Sequence, residues 1–180
     1  MKYNKLQIIT IFFLMAIGVV ARFLPHPANF SPVMALALFA GFYLPRKWAI
    51  GLPIAVMFIT DIFLGFYEFP VMITVYLSFF LASGLGIWMK NKKNWLLIGG
   101  GAIGSAIFFF LASNFAVWAF SPWYAKTIAG LSQCFILALP FFKNTLLSNV
   151  LYAGAFFAVY EAVTLLAKRY LPASQSLPNS

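Results

Sequence analysis

Acidic residues are nearly missing from this chain: three among 180, beside one histidine and one cysteine, with charged residues making up 8% of the whole. A soluble domain carries about a quarter charged residues, so a soluble fold is excluded. The hydrophobic fraction of 63% and mean hydropathy of +0.93 point the same way. With so few carboxylates there is no paired-carboxylate centre, and neither an HExxH zinc motif, a nucleophile elbow nor a phosphate loop occurs. The lone Cys134 cannot close an intramolecular disulfide and lacks the companions of a cysteine-based zinc site. An enzyme is therefore not expected, and a constellation of His26, Asp61 and Cys134 acting on a lipid-like substrate is only the third reading.

What the chain does have is long apolar runs. A helix needs about 20 apolar residues to cross some 30 Å of hydrocarbon, and lipid-facing backbone must satisfy its own hydrogen bonds. The runs do not alternate polar and apolar residues, which excludes a β-barrel. The expected fold is all-α, an integral membrane bundle of about six transmembrane helices, forming one domain over 1–170 with a disordered cytoplasmic tail over 171–180.

The first run, "LQIITIFFLMAIGVVA", reads as a span rather than a signal peptide. The second, 33–44, is short. Ser31 is its N-cap, Pro32 lies in its first turn, and Pro45 closes it; it spans only if the loop before it dips into the membrane. Further spans are expected over 48–64, 71–89, 95–120 and 145–167. Residues 124–142 carry Lys126, Gln133, Cys134 and Pro140, and read as a re-entrant or interfacial helix before the last span.

The net charge of +9 sits in short clusters beside apolar runs, a topology signal rather than a nucleic-acid footprint. With the N-terminus inside, "RK" at 46–47, "KNKK" at 90–93 and "KR" at 168–169 all fall in the cytoplasm, as the positive-inside rule requires. Both termini are then cytoplasmic in a bacterial inner membrane. Arg22, Lys126 and Lys143 remain outside.

That topology gathers the unusual residues at the outer face. His26 and Asn29 fall in the first outer connection, Asp61 and Tyr67 in the second, and Tyr124, Gln133 and Cys134 in the third. Asn114, with Trp118 one turn on, and Asn149 lie at outer helix ends. Polar groups in a bilayer cost several kcal/mol without partners and so face a cavity or each other; the expectation is a ligand pocket opening outward. The plainer alternatives stay open: Asp61 pairing with Arg22 or Lys143, Asn114 joining helices, the aromatics forming an interfacial belt. Small-xxx-small pairs at Ala37/Gly41, Ala82/Gly86, Gly100/Gly104 and Gly154/Ala158 supply close helix packing.

"RFLPHPANFSP", "DIFLGFY", "SNFAVW" and "AGLSQCFILALPFFKNTLL" resemble an uncharacterised family of small bacterial membrane proteins over nearly the whole chain. The six-helix layout with outer loops covering a ligand is also similar to the substrate-binding S components of energy-coupling factor (ECF) vitamin transporters, including the cobalamin-specific BtuM-like proteins. That resemblance implies uptake of a small vitamin-type nutrient, with cobalamin or a related corrinoid as first guess. Substrate would lie against His26, Asn29, Asp61, Tyr67, Trp118, Tyr124, Gln133 and Cys134, with Cys134 as a soft ligand to cobalt. The Ala-x-x-x-Ala signature by which many S components dock a coupling subunit is missing, since Val20 follows Ala16 by four residues. Either a coupling module or a solitary mode is compatible. The bilayer and a small-molecule substrate are the expected partners, with no intrinsic cofactor. The alternative is a structural or assembly subunit that binds another membrane protein or lipid through its small-residue faces.

Overall fold

The computed structural model describes residues 5–92 and 94–170; the tail expected over 171–180 lies outside them. Six helices follow one another: α1 (Lys5–Phe23), α2 (Val33–Tyr43), α3 (Arg46–Leu64), α4 (Phe69–Met89), α5 (Trp95–Phe120) and α6 (Ile128–Tyr170). No strand occurs among the described residues. Five of the helices are long and apolar enough to cross a membrane. The fold is the expected all-α bundle of a multi-pass membrane protein.

α2 is the exception in length, at 11 residues or roughly 16 Å, too short to span alone. It is also the centre of the bundle. Every residue from Val33 to Tyr43 is buried, and α1, α3, α4, α5 and α6 all pack on it. Its start lies one residue later than the sequence suggests: Pro32, not Ser31, is the N-cap, its carbonyl accepting from Leu36 N at 2.9 Å, while Ser31 stands one residue outside with Oγ 3.5 Å from Val33 N. Its end is fixed by Pro45, whose missing N–H and restricted predecessor stop a helix.

α2 runs alongside α4 at backbone contact, and glycine makes this possible. A Cβ on Gly41 would sit 2.1 Å from the Ser83 carbonyl oxygen, and one on Gly86 would sit 2.2 Å from that of Leu38. The Ala37/Gly41 and Ala82/Gly86 pairs thus meet each other, the close approach that small residues permit. Gly100, Gly104 and Gly154 have nothing within 4 Å of a Cβ position among the described residues.

On the other side of α2, Phe39 and Tyr43 pack with Phe157 and Tyr160, ring centroids 4.0 to 5.8 Å apart. Tyr43 OH donates to Glu161 Oε1 at 2.6 Å. Lys90 Nζ donates to the final α2 carbonyl region at Leu44 O, 3.0 Å away, and burial lowers its pKa from the ordinary lysine value. Glu161 therefore meets a tyrosine near the basic end.

Residues 124–142 are not the separate re-entrant or interfacial helix expected. From Ile128 onward they are the first part of α6, a single 43-residue helix with Pro140 inside it. At 1.5 Å per residue it is roughly 64 Å long, about twice the hydrocarbon thickness. The first third is held against α5: Cys134 Sγ donates to Asn114 O at 3.4 Å, and Phe110 stacks with Phe135 and Phe142 at 5.5 and 4.6 Å. That packing keeps the segment helical through its polar residues and proline. Lys126 donates to the Trp118 and Ser121 carbonyls, a cation on the C-terminal end of α5 where the helix dipole favours one.

Candidate functional site

Opposite the basic end, the short length of α2 leaves space above its first turn. The connection from α1 occupies the rim of that space, and α3, α4, α5 and α6 wall it. The result is a partly open cavity of about 500 Å³, within the range that holds small organic ligands.

The rim is built from the α1–α2 connection. Asn29 takes the left-handed conformation at φ 62°, which asparagine tolerates better than most residues, and closes a turn in which Phe30 N donates to Pro27 O at 2.9 Å. Asn144 Nδ2 ties the turn to α6 through Ala28 O at 3.0 Å, and Phe30 packs edge-on to Tyr152, 5.9 Å between centroids. The His26 ring nitrogens lie 2.9 Å from Pro27 O and 3.3 Å from Arg22 O. His26, Asn29 and Ser31 all reach the cavity wall from this connection.

Arg22, at the end of α1, supplies the wall's fixed positive charge. Its guanidinium pairs with Asp61 Oδ1 and touches Met57 Sδ, both on α3. Asp61 itself is 1% exposed, and its second oxygen accepts from Tyr76 OH at 2.7 Å. Gly65 ends α3 at φ +99°, a conformation that a side chain strains, and the chain turns there toward Tyr67. The Tyr67 phenol is pushed up to about 12, first by burial and then by the charge of Asp61, with Arg22 acting in the opposite sense. Tyr67 is thus a neutral hydroxyl at the wall.

The far wall is formed by Ser113 and Asn114 of α5 and Thr145 of α6. Each returns its hydrogen to its own helix: Ser113 Oγ to Phe109 O at 2.6 Å, Asn114 Nδ2 to Phe110 O at 2.7 Å, and Thr145 Oγ1 to Phe141 O at 3.0 Å. Between the polar sides the lining is hydrocarbon and thioether, including Met34, Met57, Val75, Phe79 and Phe109.

Residues 2–174 match a family of unknown function (DUF6580). The chain belongs to that family. No curated protein and no solved structure matches it, so the functional reading of this DUF6580 chain is carried by its own geometry.

Of the ten residues singled out in the sequence, the fold of the DUF6580 chain brings four to the cavity wall: His26, Asn29, Tyr67 and Asn114. Asp61 stands directly behind the wall, bonded to Arg22. The other five are placed elsewhere. Trp118 Nε1 donates to Ala125 O at 2.9 Å, fastening the α5–α6 connection that also holds half-buried Tyr124. Gln133 is exposed on α6. Asn149 Nδ2 bonds Ala102 O and Ser105 Oγ at 2.6 and 2.9 Å, joining α6 to α5 deep in the bundle.

Cys134 is buried between α5 and α6 with its thiol on the Asn114 carbonyl, and it is not among the residues on the cavity wall. No cluster of three or more metal-ligating side chains occurs among the described residues. Arg22, Ser31, Ser113 and Thr145 line the cavity without having been singled out as ligand contacts. Ser113 adjoins Asn114 in "SNFAVW", and Arg22 opens the "RFLPHPANFSP" stretch.

Proposed function

We propose that this DUF6580 chain is a membrane substrate-binding protein that takes a small, partly apolar nutrient into the cavity above α2. The observation that supports the reading is the cavity itself: about 500 Å³, lined by residues of all six helices and the α1–α2 connection, hydrocarbon within and polar at two opposite sides. A packed structural subunit has no use for such a space, because closing it with larger side chains would stabilise the bundle. In this reading the basic end faces the cytoplasm of a bacterium by the positive-inside rule, so the cavity faces outward and the protein receives its ligand from outside. Uptake of a vitamin-type nutrient, alone or with a coupling module, remains the functional class. A corrinoid is the least supported member of that class, because the Cys134 thiol that would meet cobalt is turned to a backbone carbonyl.

The test is native mass spectrometry of protein purified in lipid nanodiscs, comparing wild type with Val117→Trp, which fills the cavity from α5. The wild type should carry a bound small molecule that the filled variant loses while remaining folded. Equal ligand-free spectra from both proteins, even after incubation with cell extract, would overturn the reading. The assembly-subunit alternative is favoured by one feature, the open face of α5 at Gly99, Gly100 and Gly104, where an added Cβ meets nothing within 4 Å. A stoichiometric co-purified protein that Gly100→Leu releases would favour it.

A further inference from the structure

The hydrogen bonds around Arg22 are incomplete, and the deficit lies on the cavity wall. A guanidinium carries five N–H donors in a fixed fork. Arg22 places one nitrogen on Asp61 Oδ1 and the other on the thioether of Met57, and a thioether is a weak acceptor. Asp61 meets the fork through Oδ1 alone, its other oxygen accepting from Tyr76 OH at 2.7 Å. The ion pair is therefore held on one edge only. Arg22 keeps donor capacity toward the cavity, whereas Asp61, at 1% exposure, offers a ligand nothing.

Three further observations set the sign and shape of the ligand. Arg22 lines the cavity and Asp61 does not, so the fixed charge that a ligand meets there is positive. Tyr67, on the same wall, is a neutral hydroxyl able to donate a second hydrogen bond beside Arg22. Between the polar rim and the polar far wall, methionine, valine and phenylalanine side chains suit an apolar body, and no carboxylate among the described residues lines the cavity to offer a countercharge to a cationic one.

We infer that the ligand is a monoanionic amphiphile, its carboxylate received by Arg22 and Tyr67 and its apolar body lying against Met34, Val75, Phe79 and Phe109. This rests on the substrate-binding reading and names the chemical class of the substrate. Arginine suits the role because its planar fork matches a carboxylate and is less strongly hydrated than an ammonium. Such an acid could be a lipid-derived fatty acid or a water-soluble aromatic acid; the headgroup chemistry is shared.

The experiment measures binding to the full chain in nanodiscs, with dodecanoate, dodecanol and dodecylamine as one series and naphthylacetate with naphthylethanol as the other. Carboxylates should bind roughly tenfold or more tightly than the matched alcohols, and the amine least. Preference for dodecanoate over naphthylacetate assigns a lipid source, and the reverse a soluble one. Arg22→Gln should remove the headgroup preference, bringing the acids down to the affinity of the matched alcohols. Because that change strands the buried Asp61, the double variant Arg22→Gln with Asp61→Asn repeats the test with the pair neutralised, and Arg22→Lys should restore the preference in part. Alcohols that bind as well as acids, or a preference surviving both Arg22→Gln variants, would overturn the anionic class while leaving a binding protein. Failure of every probe to bind would overturn this inference, while the binding reading is decided separately by the native mass spectra of wild type and Val117→Trp.

Discussion

Arg22 and Asp61 stand 39 positions apart in the chain and meet at the ends of α1 and α3. The sequence admitted this pairing as one of two, the other being Lys143, and the fold selects Arg22 because both residues fall in the last turn of helices that end at the same level. Removing one member of a buried ion pair leaves the other uncompensated, at a cost of about 3–5 kcal/mol. Asp61→Ala is therefore expected to lower stability by that amount, and Tyr76→Phe, which frees one carboxylate oxygen from a charge-assisted bond, by about 1.5–3 kcal/mol. Thermal unfolding in a fixed detergent would rank them; a Tyr76→Phe variant costing as much as Asp61→Ala would show that the carboxylate is held by tyrosine rather than by arginine. At this scale the sequence exposed the residue types but not their aim. Asn149 and Asn114 look alike in a linear reading, yet one joins two helices at 1% exposure and the other reaches the cavity, because helical phase places them on different faces of α6 and α5.

Among the helices, α2 is the element on which the architecture depends. Its brevity was legible from Ser31, Pro32 and Pro45, whereas its central position was not, since an all-apolar run has no face to indicate a direction. The pairing of α2 with α4 was only half legible: four small-xxx-small pairs were present, and the two that are used differ from the unused ones only in where the backbones cross. Gly86→Ala is expected to destabilise the bundle by about 1–3 kcal/mol, because its Cβ would lie 2.2 Å from a backbone oxygen that cannot rotate away. Gly104→Ala meets open space and is expected to change stability by less than about 1 kcal/mol. Denaturation of the two variants side by side checks the assignment, and equal losses would refute the α2–α4 crossing. The element misread from sequence is α6. Lys126, Gln133, Cys134 and Pro140 suggested a re-entrant or interfacial helix apart from the last span, but Cys134, Ala138 and Thr145 recur at helical spacing and are all buried, which a continuous helix against α5 explains.

For the whole molecule, the polar features divide between two ends. Arg46, Lys47, Lys90, Lys92, Lys168 and Arg169 lie at the end where α2 and α4 finish and α3 begins, with Trp48, Trp88 and Trp95 exposed around them. Lys92 sits 3.8 Å over the Trp88 ring. The cavity, the Arg22–Asp61 pair and exposed Trp123 belong to the opposite end. Aromatic rings gather at both membrane interfaces and cations at the cytoplasmic one, so the proposed orientation puts the cation-rich end in the cytoplasm and the cavity on the outside. In intact cells carrying Cys134→Ser, a membrane-impermeant maleimide should label Ala125→Cys, exposed in the α5–α6 connection at the cavity's end of the molecule, and should reach Lys47→Cys only after the membrane is permeabilised. The reversed pattern would open the cavity to the cytoplasm. It would then be a site for a molecule the cell already holds, and a nutrient-uptake role would have to give way to export or to recognition of an internal acid, with Arg22 at the same place in the chemistry.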